Sequence, residues 1–97
     1  MGHILDCESV KLLVKAIMTL ENEEECKAFL EDIMTTKEIL DISQRVVVAK
    51  MLSEQAVYNK IAEETGASTA TISRVNRSFS YGTGAYKTVL ARLDKKN

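Results

Sequence analysis

Tyr58-Asn59-Lys60-Ile61-Ala62-Glu63-Glu64-Thr65-Gly66-Ala67-Ser68-Thr69-Ala70-Thr71-Ile72-Ser73-Arg74-Val75-Asn76-Arg77 decides how the rest of the chain is read. Two short helical patterns flank a glycine, with small residues where two helices have to cross closely, and this is the pattern of a helix-turn-helix. Ile61 and Ala62 are expected to be buried by the first helix. Gly66 should end it, because the turn that follows needs a left-handed backbone that glycine adopts without steric cost. A side chain larger than Ala62, four residues before that glycine, would hold the second helix away from the first. Ser68 reads as the N-cap of the second helix, its hydroxyl accepting from a free backbone N–H of the first turn. Ile72 and Val75, three residues apart, face inward.

This phasing puts Ser68, Thr69, Ala70, Thr71, Ser73, Arg74 and Arg77 on the outer side of the second helix, with short side chains at its start and guanidinium groups toward its end. A helix that enters a DNA groove has this composition, since its first residues approach base edges while hydroxyls and backbone N–H groups suit phosphate oxygens. Asn59 and Lys60, at the start of the first helix, join the same expected DNA-binding set. The outer face offers no Asn or Gln before Asn76, so bidentate reading of adenine is poorly supplied and specificity is expected to rest partly on waters and DNA shape.

Working outward, 97 residues make one expected domain, 1–97, small enough to bury only about 65% of its unfolded surface alone. Hydrophobic residues are 45% of the chain, Pro is absent and Gly numbers 4, so little interrupts helices and the expected class is all-α. The net charge of −1 conceals a division. Residues 1–56 carry 6 Lys and Arg against 11 Asp and Glu, a net −5, while residues 57–97 carry 7 against 3, a net +4. The basic excess thus coincides with the helix-turn-helix, and the acidic half is expected to face away from DNA.

Before the motif, Val10, Leu13, Val14, Ile17 and Leu20 recur at helical spacing, with Leu12, Ala16 and Met18 widening the apolar stripe past one narrow face. Asn22 followed by Glu25 resembles a capping box for a second helix that buries Cys26, Phe29, Leu30, Ile33 and Met34. A long helix from about Thr36 to Ser53 is apolar nearly all round. Its run Val46-Val47-Val48 favours a strand by propensity, but the helical context on both sides overrides that. Ser80 to Gly84 reads as a turn, and Thr83 as the N-cap of a last helix over 83–94 with Tyr86, Val89, Leu90 and Leu93 inward; Lys95-Lys96-Asn97 is expected to fray. Residues 7–54 are therefore assigned to the core and dimerisation helices, because so wide an apolar surface in a short chain calls for a second copy. A C2 homodimer presents two recognition helices to a near-palindromic duplex, with half-sites about 34–36 Å apart or a multiple of that.

Other chemistries find little support. Cys7 and Cys26 lack Cys-x-x-Cys spacing and His3 sits at the N-terminus, so no metal site is expected and the thiols are read as reduced and packed. Gly82-Thr83-Gly84 neither follows a strand nor precedes Lys-Ser/Thr, which excludes a phosphate-cradling loop. Glu21-Asn22-Glu23-Glu24-Glu25 suits a helix N-terminus rather than a metal. Tyr81 and Tyr86 are expected to pack rather than touch DNA. No nucleophile, base and oxyanion donor assemble, so no enzyme is expected. With no apolar run near the ~18 residues of a membrane span and no signal-peptide pattern, the expected location is the cytoplasm.

From Phe29 to Phe79, about half the chain, the sequence resembles the Trp repressor family, in Phe29-Leu30, Met34-Thr35, Gln44-Arg45-Val46 and the run Gly66 to Arg74; it is most similar to small bacterial Trp-repressor-like proteins. The resemblance implies a six-helix, intertwined dimer that regulates transcription, as a repressor, and contacts DNA partly through water. It also implies that the amino-acid corepressor pocket of tryptophan-responsive members corresponds to Thr35, Arg45 and Arg74, the two arginines flanking a flat ligand. One position departs from the pattern. Val75 stands where those members have glycine, and its two methyl groups would intrude on a ligand lying against the backbone. No cofactor is expected, tryptophan included. A different small effector in an altered pocket, and a helical adaptor for another protein, remain alternatives; Arg45 could equally be a snorkelling or ion-paired side chain.

Overall fold

The computed structural model describes residues 2–96, with the side chains of 4–95. Among these the chain is entirely helical: a one-turn helix α1 (Gly2–Leu5) precedes six longer helices, α2 (Glu8–Met18), α3 (Glu23–Ile33), α4 (Thr36–Ser53), α5 (Tyr58–Thr65), α6 (Thr69–Tyr81) and α7 (Ala85–Lys96). Two compact units, Met1–Ile39 and Leu40–Asn97, divide it, the boundary falling in the first turn of α4. The His3 side chain and Asn97 lie outside the described part.

In the first unit the helix starts are well specified and the packing is sparse. Asn22 caps α3, its Oδ1 accepting from Glu25 N–H at 2.9 Å, while Glu25 Oε1 accepts from Glu21 N–H at 3.0 Å, one residue earlier than the standard capping box. Thr35 and Glu38 form the reciprocal pair at the start of α4: Glu38 N–H donates to Thr35 Oγ1 at 3.1 Å and Thr35 N–H to Glu38 Oε1 at 2.9 Å. Neither α2 nor α3 buries a single residue. Leu12 is 69% exposed and Met18 77%, and Leu13, Val14, Ile17 and Ile33 are also exposed. Cys7 and Cys26 form no disulfide and are exposed, so the expectation of packed thiols does not hold in the single chain.

The second unit contains the core. Val48 and Ala49 of α4, Ile61 of α5, Ala67 in the turn, Ile72 and Val75 of α6 and Leu90 of α7 are buried, with Met51, Leu52, Ala62, Phe79 and Tyr86 packed against them. Val48, Ile61 and Ile72 are wholly buried, each worth about 1.5–3 kcal/mol of transfer free energy. Burial of Val48 and the neighbouring turns thus keep the valine run of α4 helical. The same helix exposes Leu40, Ile42, Val46 and Val47, so only one of its stripes is used within the chain. Phe79 lies under the Lys87 ammonium, 5.4 Å from the ring centroid.

Two boundaries differ from expectation. The second motif helix continues to Tyr81, because nothing after Val75 interrupts it until Gly82, whose N–H donates to Ser78 O at 2.9 Å. A Cβ on Gly82 would collide with that Ser78 carbonyl oxygen, so glycine is required by space there. The last helix runs from Ala85 to Lys96 rather than 83–94. Gly84, at φ +92°, gives its carbonyl to Thr88 N–H and so holds the cap position assigned to Thr83. Thr83 Oγ1 accepts instead from Ala85 N–H at 3.3 Å.

Candidate nucleic-acid interface

The start of α6 is positioned by residues between Gln44 and Thr71. Gly66 adopts φ +74°, ψ 3°, the left-handed turn conformation expected of it, and its N–H closes α5 on Ala62 O at 2.9 Å. Thr65 reinforces the turn from both sides: its hydroxyl donates to Ile61 O at 2.7 Å and accepts from Ala67 N–H at 3.1 Å. The Thr65 carbonyl in turn accepts from Gln44 Nε2 at 3.0 Å, a half-buried bond that ties α4 to the end of α5. Net, one such bond is worth about 1 kcal/mol. Sequence reasoning gave Gln44 no role of its own; its only signal was being a polar residue on a mostly apolar helix.

Ser68 caps α6 as expected, accepting from Thr71 N–H at 3.1 Å. Its hydroxyl also donates to Thr71 Oγ1 at 3.1 Å, so this pair is largely committed to the helix start. Beyond the cap, Ile72 and Val75 are buried while Thr69, Ala70, Ser73, Arg74 and Arg77 are exposed and Thr71 is half-buried. Thr69 and Ser73 make no side-chain hydrogen bond among the described residues, which leaves their hydroxyls available to an outside partner. Asn76 is occupied, its Oδ1 accepting from Ser80 Oγ at 3.3 Å. On α5, Asn59 and Lys60 are exposed, and Lys60 Nζ stands 3.8 Å from Glu64 Oε2. Tyr81, expected to pack, is 87% exposed at the end of α6, whereas Tyr86 does pack against the core.

Of the residues matched to a corepressor pocket, Arg45 and Arg74 come together and Thr35 has a separate task. Both arginines are exposed and line one cleft of about 120 Å³ with Thr71, Val75, Ser78 and Tyr86. Neither is ion-paired to a described carboxylate. Thr35 spends its hydroxyl on the cap of α4. A pocket for a drug-sized ligand occupies about 300–1,000 Å³, and the cleft lined by Val75 and Tyr86 is smaller than that.

These features define a class: an all-helical protein whose helix-turn-helix holds a polar, basic helix face open to solvent. A model of the family described as Trp repressor protein matches residues 8–94, and the chain belongs to that family, which is regulatory rather than enzymatic. It is 49% identical over 81 residues to the uncharacterized protein YerC of Bacillus subtilis (strain 168), an alignment covering 84% of this chain and 78% of YerC. The crystal structure of a TrpR like protein from Eubacterium eligens ATCC 27750 superposes with a TM-score of 0.91 at 51% identity, over 95% of each chain. A Staphylococcus aureus crystal structure superposes with a TM-score of 0.89 at 47% identity, over 95% of this chain and 92% of that one. No helix among the described residues is long and apolar enough to cross a membrane.

Proposed function

We propose that this protein is a sequence-specific DNA-binding transcriptional regulator, a repressor that acts in the cytoplasm as a homodimer without tryptophan as corepressor. The observation that carries the reading is the outer face of α6. Its first turn is capped, its inner residues are locked in the core, and Thr69, Ala70, Ser73, Arg74 and Arg77 remain open to a duplex. Short side chains at the helix start let the backbone approach base edges, while Arg74 and Arg77 neutralise phosphates. Ser68 and Thr71 contribute chiefly by fixing the helix N-terminus, and Asn59 and Lys60 extend the contact along the backbone from α5.

The homodimer is supported by the apolar residues that α2, α3 and α4 each leave exposed, more than a soluble monomer ordinarily presents. Two copies related by a dyad suit a near-palindromic site. Thr35 belongs to the core scaffold in this reading rather than to a ligand pocket.

A bound duplex is first selected from random DNA and then titrated at increasing salt. A dimer neutralising ~6–8 phosphates gives a log–log slope of about −5 to −7, and Arg74→Ala weakens binding to all sequences alike. A flat salt response, or unchanged affinity for Arg74→Ala, would sink the assignment. Calorimetry with L-tryptophan should register no micromolar binding; a measurable isotherm would show that Val75 and Tyr86 leave room after all.

A further inference from the structure

We infer that Arg45 and Arg74 together hold one backbone phosphate of the duplex, which makes Arg45, on α4 and outside the helix-turn-helix, a DNA contact. The inference rests on the DNA-binding reading and adds a residue to it. Arg45 of α4 and Arg74 of α6 line the same small cleft, so an anion placed there meets two positively charged side chains from different helices. No described carboxylate pairs with either. An arginine held near a structural partner would be expected to have one, so this unneutralised pair is arranged for an anion from outside.

The shape of the cleft selects the anion. Val75 is buried and Tyr86 packs on the core, which fixes that part of the lining, while the exposed Arg45 and Arg74 line the same cleft of roughly 120 Å³. Ser78 belongs to the same lining, as does Thr71, whose hydroxyl is engaged with Ser68 at the helix start. A tetrahedral oxyanion suits this donor set, because planar guanidinium forks bind two phosphate oxygens each and a hydroxyl takes another. A drug-sized organic effector occupies about 300–1,000 Å³, more than this cleft holds. Arg74 already belongs to the face that meets the duplex, so the phosphate it reaches is one that Arg45 reaches as well.

Full-length protein and a selected duplex suffice to test this, with a series of duplexes in which one phosphate at a time is replaced by an uncharged methylphosphonate. Arg45→Ala should weaken binding roughly tenfold on every sequence and make the salt slope shallower by less than the about 0.9 per protomer that loss of a whole phosphate contact gives, since Arg74 remains. Arg45→Lys should keep the slope and lose part of the affinity, since it preserves charge without the fork. The methylphosphonate position that weakens the wild type most should weaken Arg45→Ala and Arg74→Ala less, because one guanidinium still meets that phosphate, and should cost the double variant nothing further. If the two single variants lose sensitivity at different positions, the shared phosphate is wrong; if Arg45→Ala, folded by circular dichroism, binds like wild type, Arg45 is no contact at all. In both cases a steep wild-type salt slope would leave the DNA-binding reading standing. Inorganic phosphate at constant ionic strength distinguishes the remaining source: enhanced DNA affinity for wild type but not Arg45→Ala would make the occupant a free anion and overturn the inference.

Discussion

The chain up to Ile39 and the chain from Leu40 onward are similarly rich in apolar residues and use them in opposite ways. The later part closes a core on itself, with Val48, Ile61 and Ile72 fully shielded from water. The earlier part forms α2 and α3, caps the second of these well, and then buries no residue of either, Phe29 and Leu30 being half-buried at most. Helix formation and helix burial are thus separate problems. Capping and propensity are local and are satisfied wherever the right residues stand, whereas burial needs a partner surface. In α5, α6 and α7 the partner is supplied by the same chain. For α2 and α3 the single chain buries no residue, and on our reading a second copy supplies the partner surface.

A charge placed on the exposed stripe of α2 attacks the comparison most directly. In a dimer, Ile17→Asp buries an unpaired carboxylate in each copy, costing about 3–5 kcal/mol per site, and a dyad counts the cost twice. Sedimentation should report the mass of one chain in place of two, and the unfolding midpoint of the variant should no longer depend on protein concentration. A stable monomer at micromolar wild-type concentration would end the argument for a second copy. The opposite half is tested by Ile72→Ala, which leaves a cavity among Val48, Ile61 and Val75. Urea unfolding should show a loss of about 2–5 kcal/mol, and DNA binding should fall with it because the same side chain fixes the orientation of α6.

How much of this could be read from the residues follows the same division. The helix-turn-helix was legible because each of its constraints is local: Ala62, Gly66 and Ser68 act within a turn of where they stand, and Ile72 with Val75 declare the inner face by spacing alone. Residues whose role depends on another helix were not legible. Gln44 reaches the Thr65 carbonyl from 21 positions away, and Tyr86 enters the cleft of Arg45 and Arg74 from α7; neither relation leaves a periodic trace. Tyr81 was misjudged for a related reason, since an aromatic residue reads as core by type, and only the continuation of α6 past Phe79 carries it out into solvent. The cysteines repeat this. Their apolar neighbours suggested burial, but those neighbours are themselves uncovered in the single chain.

A step smaller, the cap of α6 separates stability from recognition. Ser68→Ala removes the oxygen that accepts from Thr71 N–H, and thermal or urea unfolding should register about 1 kcal/mol. Ser68→Asp keeps an acceptor and so keeps the stability, yet it sets a carboxylate at the helix end that approaches phosphates. Its affinity for DNA should therefore drop more than that of Ser68→Ala. The reverse order would mean that this end of α6 does not face the duplex.

The smallest expected effects come from two left-handed joints that one chemistry treats differently. Gln55, between α4 and α5, sits at φ +65°, and Gly66, between α5 and α6, at φ +74°. For a residue with a Cβ this conformation costs roughly 1 kcal/mol, a cost that glycine avoids and glutamine bears. A Cβ on Gly66 would meet no atom within 4 Å, so the penalty of Gly66→Ala is conformational alone and should be about 1 kcal/mol. Gln55→Gly relieves the same strain, but it also frees the unfolded chain, an entropic loss of similar kind; the net gain should be only a few tenths of a kcal/mol. Both joints lie in the part of the chain that builds its own core. Both shifts should therefore keep their size when protein concentration is varied, while the effect of Ile17→Asp changes with it. If the Gly66→Ala penalty instead varied with concentration, the helix-turn-helix would depend on the second copy too, and the contrast between the two halves would dissolve.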